Sequence, residues 1–103
     1  MVQMFPVQIE DKTAIAVSVA LPKTNLLVVS TEIGYIMCGA LDVQLLNDKL
    51  ADRKIIAGRA VGVKTIEQLL SAPLESVTAE AETIGIHSGT TGHDAIKIML
   101  EHA

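Results

Sequence analysis

The chain has 103 residues, 50% apolar and 19% charged, with eight Lys plus Arg against twelve Asp plus Glu and a net charge of −4. So much apolar material excludes a disordered tail, a collagen-like fibre and a coiled coil. The single cysteine, Cys38, excludes an intrachain disulfide and a four-Cys zinc site, and the acidic balance without any Lys/Arg cluster excludes a duplex DNA binder.

Residues 2–9 read as a strand that Pro6 restricts to a sheet edge or a bulge. Glu10, Asp11 and Lys12 form a polar turn. Residues 13–21 then alternate, with Ile15, Val17, Val19 and Leu21 on one side and Ala14, Ala16, Ser18 and Ala20 on the other, the period of a strand. Pro22 to Asn25 make the next turn. Residues 26–30 form a continuous apolar run, expected to be a strand buried on both faces. Residues 35–38 give a further short strand between Gly34 and Gly39.

The period becomes helical over residues 42–53, where Val43, Leu46 and Leu50 share a face and Asp42 is placed to cap the N-terminus. Residues 54–60 read as a strand, with Gly58 marking a bulge or a close backbone approach. Thr65 to Gln68 has the form of a capping box opening a short helix that Pro73 stops. Residues 76–84 have helical character ending at Gly85, Ile86 suits a short strand, and residues 92–101 form the last helix behind a cap at Thr91. Strands first and helices afterwards predict a single α+β domain over residues 1–103. Its architecture is two-layer, with a mixed β-sheet, a strand-rich N-terminal half and helices packed on one face.

A chain this short buries only about two-thirds of the surface it exposes when unfolded. The aromatic side chains number two, Phe5 and Tyr35, so the core is aliphatic and there is more aliphatic material than one small domain hides. A subunit interface is the expected destination for the surplus, with Ile15, Val17 and Val19 on the sheet face away from the helices. No segment approaches the roughly 20 apolar residues of a membrane-spanning helix, and the N-terminus has no signal-peptide pattern, so the expected location is cytoplasmic.

Four features invite chemistry. Cys38 stands at a strand end before a helix, where a thiol pKa falls; with Asp42 as a base it is the candidate catalytic residue, against the alternative of an inert buried thiol. Gly39, Gly58 and Arg59 lie at neighbouring strand ends, where mixed sheets often hold ligands. The segment from Gly58 to Thr65 resembles a phosphate loop, but its Gly-x3-Gly-x-Lys-Thr spacing does not close around a phosphate, and a tight turn with a cap explains it better. Arg59 points to solvent or pairs with a carboxylate such as Asp42. Ser88, Thr90 and Thr91 precede a helix and offer donors to a small anionic ligand, unless they serve only as a capped loop. His87 and His93 are six apart and His102 is distant, which matches no metal-ligand spacing; no metal and no cofactor is expected.

From Gly34 through Asp42, from Ile56 through Val63 and from Thr65 through Leu74, and in the turn from Leu21 to Asn25, the chain resembles the YunC-like family of small bacterial and archaeal proteins of unknown function. The resemblance implies a two-layer α+β domain whose N-terminal strands, about residues 1–38, form a tetramerisation region. It implies no catalytic residue. The function expected is a homo-oligomeric binding or assembly module with itself as partner and no nucleic acid or membrane. The alternative is a small enzyme or ligand-binding protein with a pocket around Cys38, Asp42 and the turn from Gly58 to Gly62.

Overall fold

Alternating residues near the N-terminus become a three-stranded antiparallel meander. In a computed structural model describing residues 1–103, the meander consists of β1 (Val2–Ile9), β2 (Lys12–Leu21) and β3 (Thr24–Ser30), and β4 (Gly34–Met37) adds antiparallel to β3. The chain crosses over through α1 (Val43–Asp48) and a 3₁₀ turn at Ala51–Arg53 to β5 (Ile56–Arg59), which runs parallel to β4. After α2 (Ile66–Ser71), β6 (Ser76–Val77) pairs antiparallel with β5, so the six strands lie in sequence order. α3 (Ala79–Thr83) and α4 (Gly92–Glu101) follow. The fold is α+β, with a mixed sheet and a strand-rich N-terminal half, as the sequence indicates.

The principal core lies between one sheet face and the C-terminal helices. Ala14 and Ala16 of β2, Leu27 and Val29 of β3 and Ile36 of β4 are buried with Leu69 of α2 and Ala95, Ile96 and Met99 of α4. The two alanines give β2 the low relief that lets a helix layer sit close to it. Gly92 serves the same end where α4 begins, since a Cβ there would fall against the Leu69 carbonyl oxygen on α2. α1 departs from the expected packing of the helices on one face, since it lies on the other face of the sheet. Its Val43 and Leu46 pack with Leu41 and Ala57, and half-buried Tyr35 and Met37 join them. A parallel β4–β5 pair requires a crossover over one face of the sheet; α2 and α4 occupy the first.

Four stretches of the chain differ from their sequence-based expectation. β3 is buried on one face only: Leu27 and Val29 are inside, while Leu26 and Val28 are half-exposed because nothing covers their side. The helix expected over residues 42–53 ends at Asp48, and Lys54 takes a left-handed φ of 52° before β5. Its two flanking strands have four residues each. That is about 13 Å of strand, and a twelve-residue helix of about 18 Å would overshoot the return. The helical stretch expected over residues 76–84 is split, because Ser76 and Val77 pair with Arg59 and Gly58 before α3 begins. Ile86 is fully buried but belongs to no strand.

Candidate functional site

The sheet exposes its bulkier side. β2 turns Ala14 and Ala16 inward and Ile15, Val17, Val19 and Leu21 outward. Strand register sets Val2, Met4 and Pro6 opposite Val19, Val17 and Ile15, and sets Val28 and Leu26 opposite Val17 and Val19. These side chains therefore share one face. Val2 and Met4 are 66% and 70% exposed and Ile15 is 40% exposed, with no helix over them. Of the eight large apolar side chains left exposed, six lie within the first 21 residues. No charged residue occurs on this face of β1, β2 or β3. The sequence placed Ile15, Val17 and Val19 here; Val2, Met4, Leu26 and Val28 join them through strand register.

A polar cleft opens at the other end of the sheet, beyond the C-terminal ends of β4 and β5. Its volume is about 820 Å³, and Asp42, Asp48, Arg59, Glu75 and Ser76 are in its wall. Asp42 caps α1 by accepting from Leu45 N–H at 2.9 Å. Arg59 neither reaches Asp42 nor stands free in water. It donates through Nε and Nη2 to the Gly39 carbonyl at 3.3 and 3.1 Å, and through Nη1 to both Glu75 carboxylate oxygens at 3.1 and 3.2 Å. Ser76 Oγ donates to Glu75 Oε1 at 2.8 Å. That hydroxyl, with Arg59 beside it, holds the Glu75 carboxyl below its ordinary pKa against the opposing effect of desolvation. The clamp therefore operates above the usual carboxylate range and is lost as pH falls through the lowered value. Gly58 fits a different constraint, since a Cβ there would lie 2.6 Å from Leu74 Cδ1. The sequence gives no signal for Glu75; the pairing of β5 with β6 brings it beside Arg59.

Cys38 lies apart from the cleft. It is 6% exposed. Its Sγ accepts from Leu27 N–H at 3.4 Å and faces the Asn25 carbonyl oxygen at 3.8 Å. It touches a smaller hollow of about 260 Å³ between Leu21, Asn25 and Val63, which meets the cleft wall at Gly39 and Ala40. Cys38 thus engages backbone groups of β3, and Asp42 engages its own helix.

The hydroxyls of the loop before α4 are also committed. Ser88 Oγ donates to the Glu75 carbonyl at 2.6 Å, Thr90 Oγ1 accepts from His87 N–H at 3.0 Å, and Thr91 Oγ1 accepts from Asp94 N–H at 3.2 Å as the helix cap. Gly39, Arg59 and Asp42 are brought together in the cleft wall, then, while Gly58 faces Leu74 and Ser88, Thr90 and Thr91 brace a separate loop.

The family model described as a domain of unknown function, DUF1805, matches residues 37–99. The chain belongs to this family. The DUF1805 match takes in Cys38, the cleft and the C-terminal helices and begins after β3; longer likenesses cover the meander too. The uncharacterized protein YunC of Bacillus subtilis (strain 168) is 57% identical over 101 residues, which is 98% of this chain and 100% of that one. The resemblance drawn from the sequence is thereby upheld. The crystal structure of a protein of unknown function, TA1206, from Thermoplasma acidophilum superposes with a TM-score of 0.85 at 32% identity, covering 97% of this chain and 93% of that one. No helix of the chain is long and apolar enough to cross a membrane.

Proposed function

We propose that the protein is a homo-oligomeric binding or assembly module whose subunits meet through the free face of β1, β2 and β3, with a tetramer as the expected size. One observation carries this reading: β2 puts Ala14 and Ala16 into the core and leaves Ile15 exposed and Val17 and Val19 half-exposed on the other face. A solitary domain gains by the reverse arrangement, because each fully buried Val, Leu or Ile contributes about 1.5–3 kcal/mol relative to exposure. An apolar sheet face without charge suits a second apolar sheet face. Native mass spectrometry of the purified protein, beside its Val17→Asp variant, tests the reading. The wild type should be a discrete oligomer and the variant a folded subunit of lower assembly state. A monomeric wild type, or a folded variant that keeps the wild-type mass, overturns it.

A second reading rests on the cleft, whose volume falls within the range of small-molecule sites. It makes the protein a small-ligand binder or enzyme. Asp42, Asp48 and Glu75 against Arg59 leave the wall with two formal negative charges in excess, and Arg59 spends its donors on Gly39 and Glu75. Such a wall favours a cationic or hydroxyl-rich ligand over an anion. In the same spectrum a retained mass increment, lost on Glu75→Gln substitution, supports this reading; a bare subunit mass in the presence of candidate amines and sugars counts against it.

A further inference from the structure

The meander that carries the free face also has an open edge, and face and edge lead to different assemblies. β1 is the outermost strand at one side of the sheet. At the opposite side β6 has two residues and offers almost no row of backbone groups. β1 has eight. A long edge strand normally carries a guard against pairing with another chain: a charge, a bulge, a proline or a covering element. β1 reads Val-Gln-Met-Phe-Pro-Val-Gln-Ile, without any charge, and pairs with β2 in unbroken register without a bulge. Its uncharged, apolar, β-prone character is that of a segment which recruits other strands.

Proline is the guard that remains, and its parity matters. Ala20 N–H donates to the Met1 carbonyl at 2.8 Å, and Met1 stands opposite Ala20 by continuation of the register. Hydrogen-bonded pairs alternate with non-bonded pairs along an antiparallel ladder. Odd residues of β1 therefore bond to β2, and Val2, Met4, Pro6 and Gln8 direct their backbone groups to the open edge. Pro6 removes no bond from the β1–β2 ladder. It deletes one N–H from the middle of the outward row and sets its ring there instead.

We propose that Pro6 determines how this chain associates: it closes the sheet edge to a further strand, so that second copies pack on the free face and growth stops at a closed oligomer. The proposal rests on the assembly reading for the face, but its claim about the edge stands separately. Three forms are compared by sedimentation velocity and thioflavin fluorescence over a wide concentration range: wild type, Pro6→Thr and Pro6→Lys. Threonine restores the donor in a β-favouring residue. Lysine restores it too, but places a charge on the strand. Pro6→Thr should grow with concentration into species well beyond the wild-type oligomer, while Pro6→Lys, whose charge falls on the free face beside Ile15, forms nothing larger than the wild-type oligomer. A folded Pro6→Thr that retains the wild-type distribution throughout overturns the proposal. So does growth of both variants alike, because loss of the ring would then matter through local structure and not through the edge. A monomeric wild type refutes the face interface alone, and growth of Pro6→Thr from that monomer still supports the edge role.

Discussion

Lys23 occupies a backbone conformation that its side chain disfavours. It is the second residue of the two-residue turn between β2 and β3, after Pro22, with φ of 66°. Proline at the first turn position with a positive φ at the second is the arrangement of a type II turn, which prefers Gly or Asn there. A non-glycine residue in the left-handed region costs about 1–2 kcal/mol, and asparagine relieves part of this without the unfolded-chain entropy that glycine adds. Lys23→Asn should therefore stabilise the protein by about 0.5 kcal/mol, read as a higher urea midpoint with unchanged slope. An unchanged or lowered midpoint would show that the Lys23 side chain compensates the strain.

At the scale of elements, Thr78 joins two segments that have few other polar links. It is 2% exposed. Its Oγ1 accepts from Ala81 N–H at 3.2 Å, capping α3, and from Ala57 N–H at 3.1 Å in β5. Valine keeps the shape and removes the acceptor of both bonds. Losing a cap costs about 1 kcal/mol and stranding a buried N–H about 1–3 kcal/mol, so Thr78→Val should destabilise by about 2–4 kcal/mol and Thr78→Ser by much less. Chemical denaturation of the three forms decides it; equal stability of the valine and serine variants would dismiss the shared-acceptor role. The sequence shows the reason for the contrast between readable and unreadable elements. Residues 92–101 carry their own cap and apolar stripe, and β2 its own period, so both are legible locally. Thr78 reads as one more helical residue because its partner Ala57 is 21 residues away. The same limit applies to the cleft: Gly39, Asp42, Gly58 and Arg59 announce a pair of strand ends, whereas Glu75 becomes part of the site only through the β5–β6 pairing.

For the whole molecule, the decisive property is a separation of apolar and charged surface. The chain carries a net charge of −4, yet the free face of its three long strands carries none. Copies that meet through that face bring apolar area together while their charges stay around the rim and repel weakly. Two dependences follow. Added salt screens the repulsion, since the Debye length falls from about 30 Å at 0.01 M to about 3 Å at 1 M, and it breaks no ion pair within the contact. Cooling weakens association, because burial of apolar surface is entropy-driven near room temperature and its driving force fades as temperature falls. Sedimentation equilibrium at low and high sodium chloride, and at cold and ambient temperature, should give an association constant that holds or rises with salt and falls in the cold. A constant that drops steeply with salt would instead place the contact on a charged surface, such as the wall formed by Asp42, Asp48, Arg59 and Glu75, and would move the interface to the opposite end of the sheet.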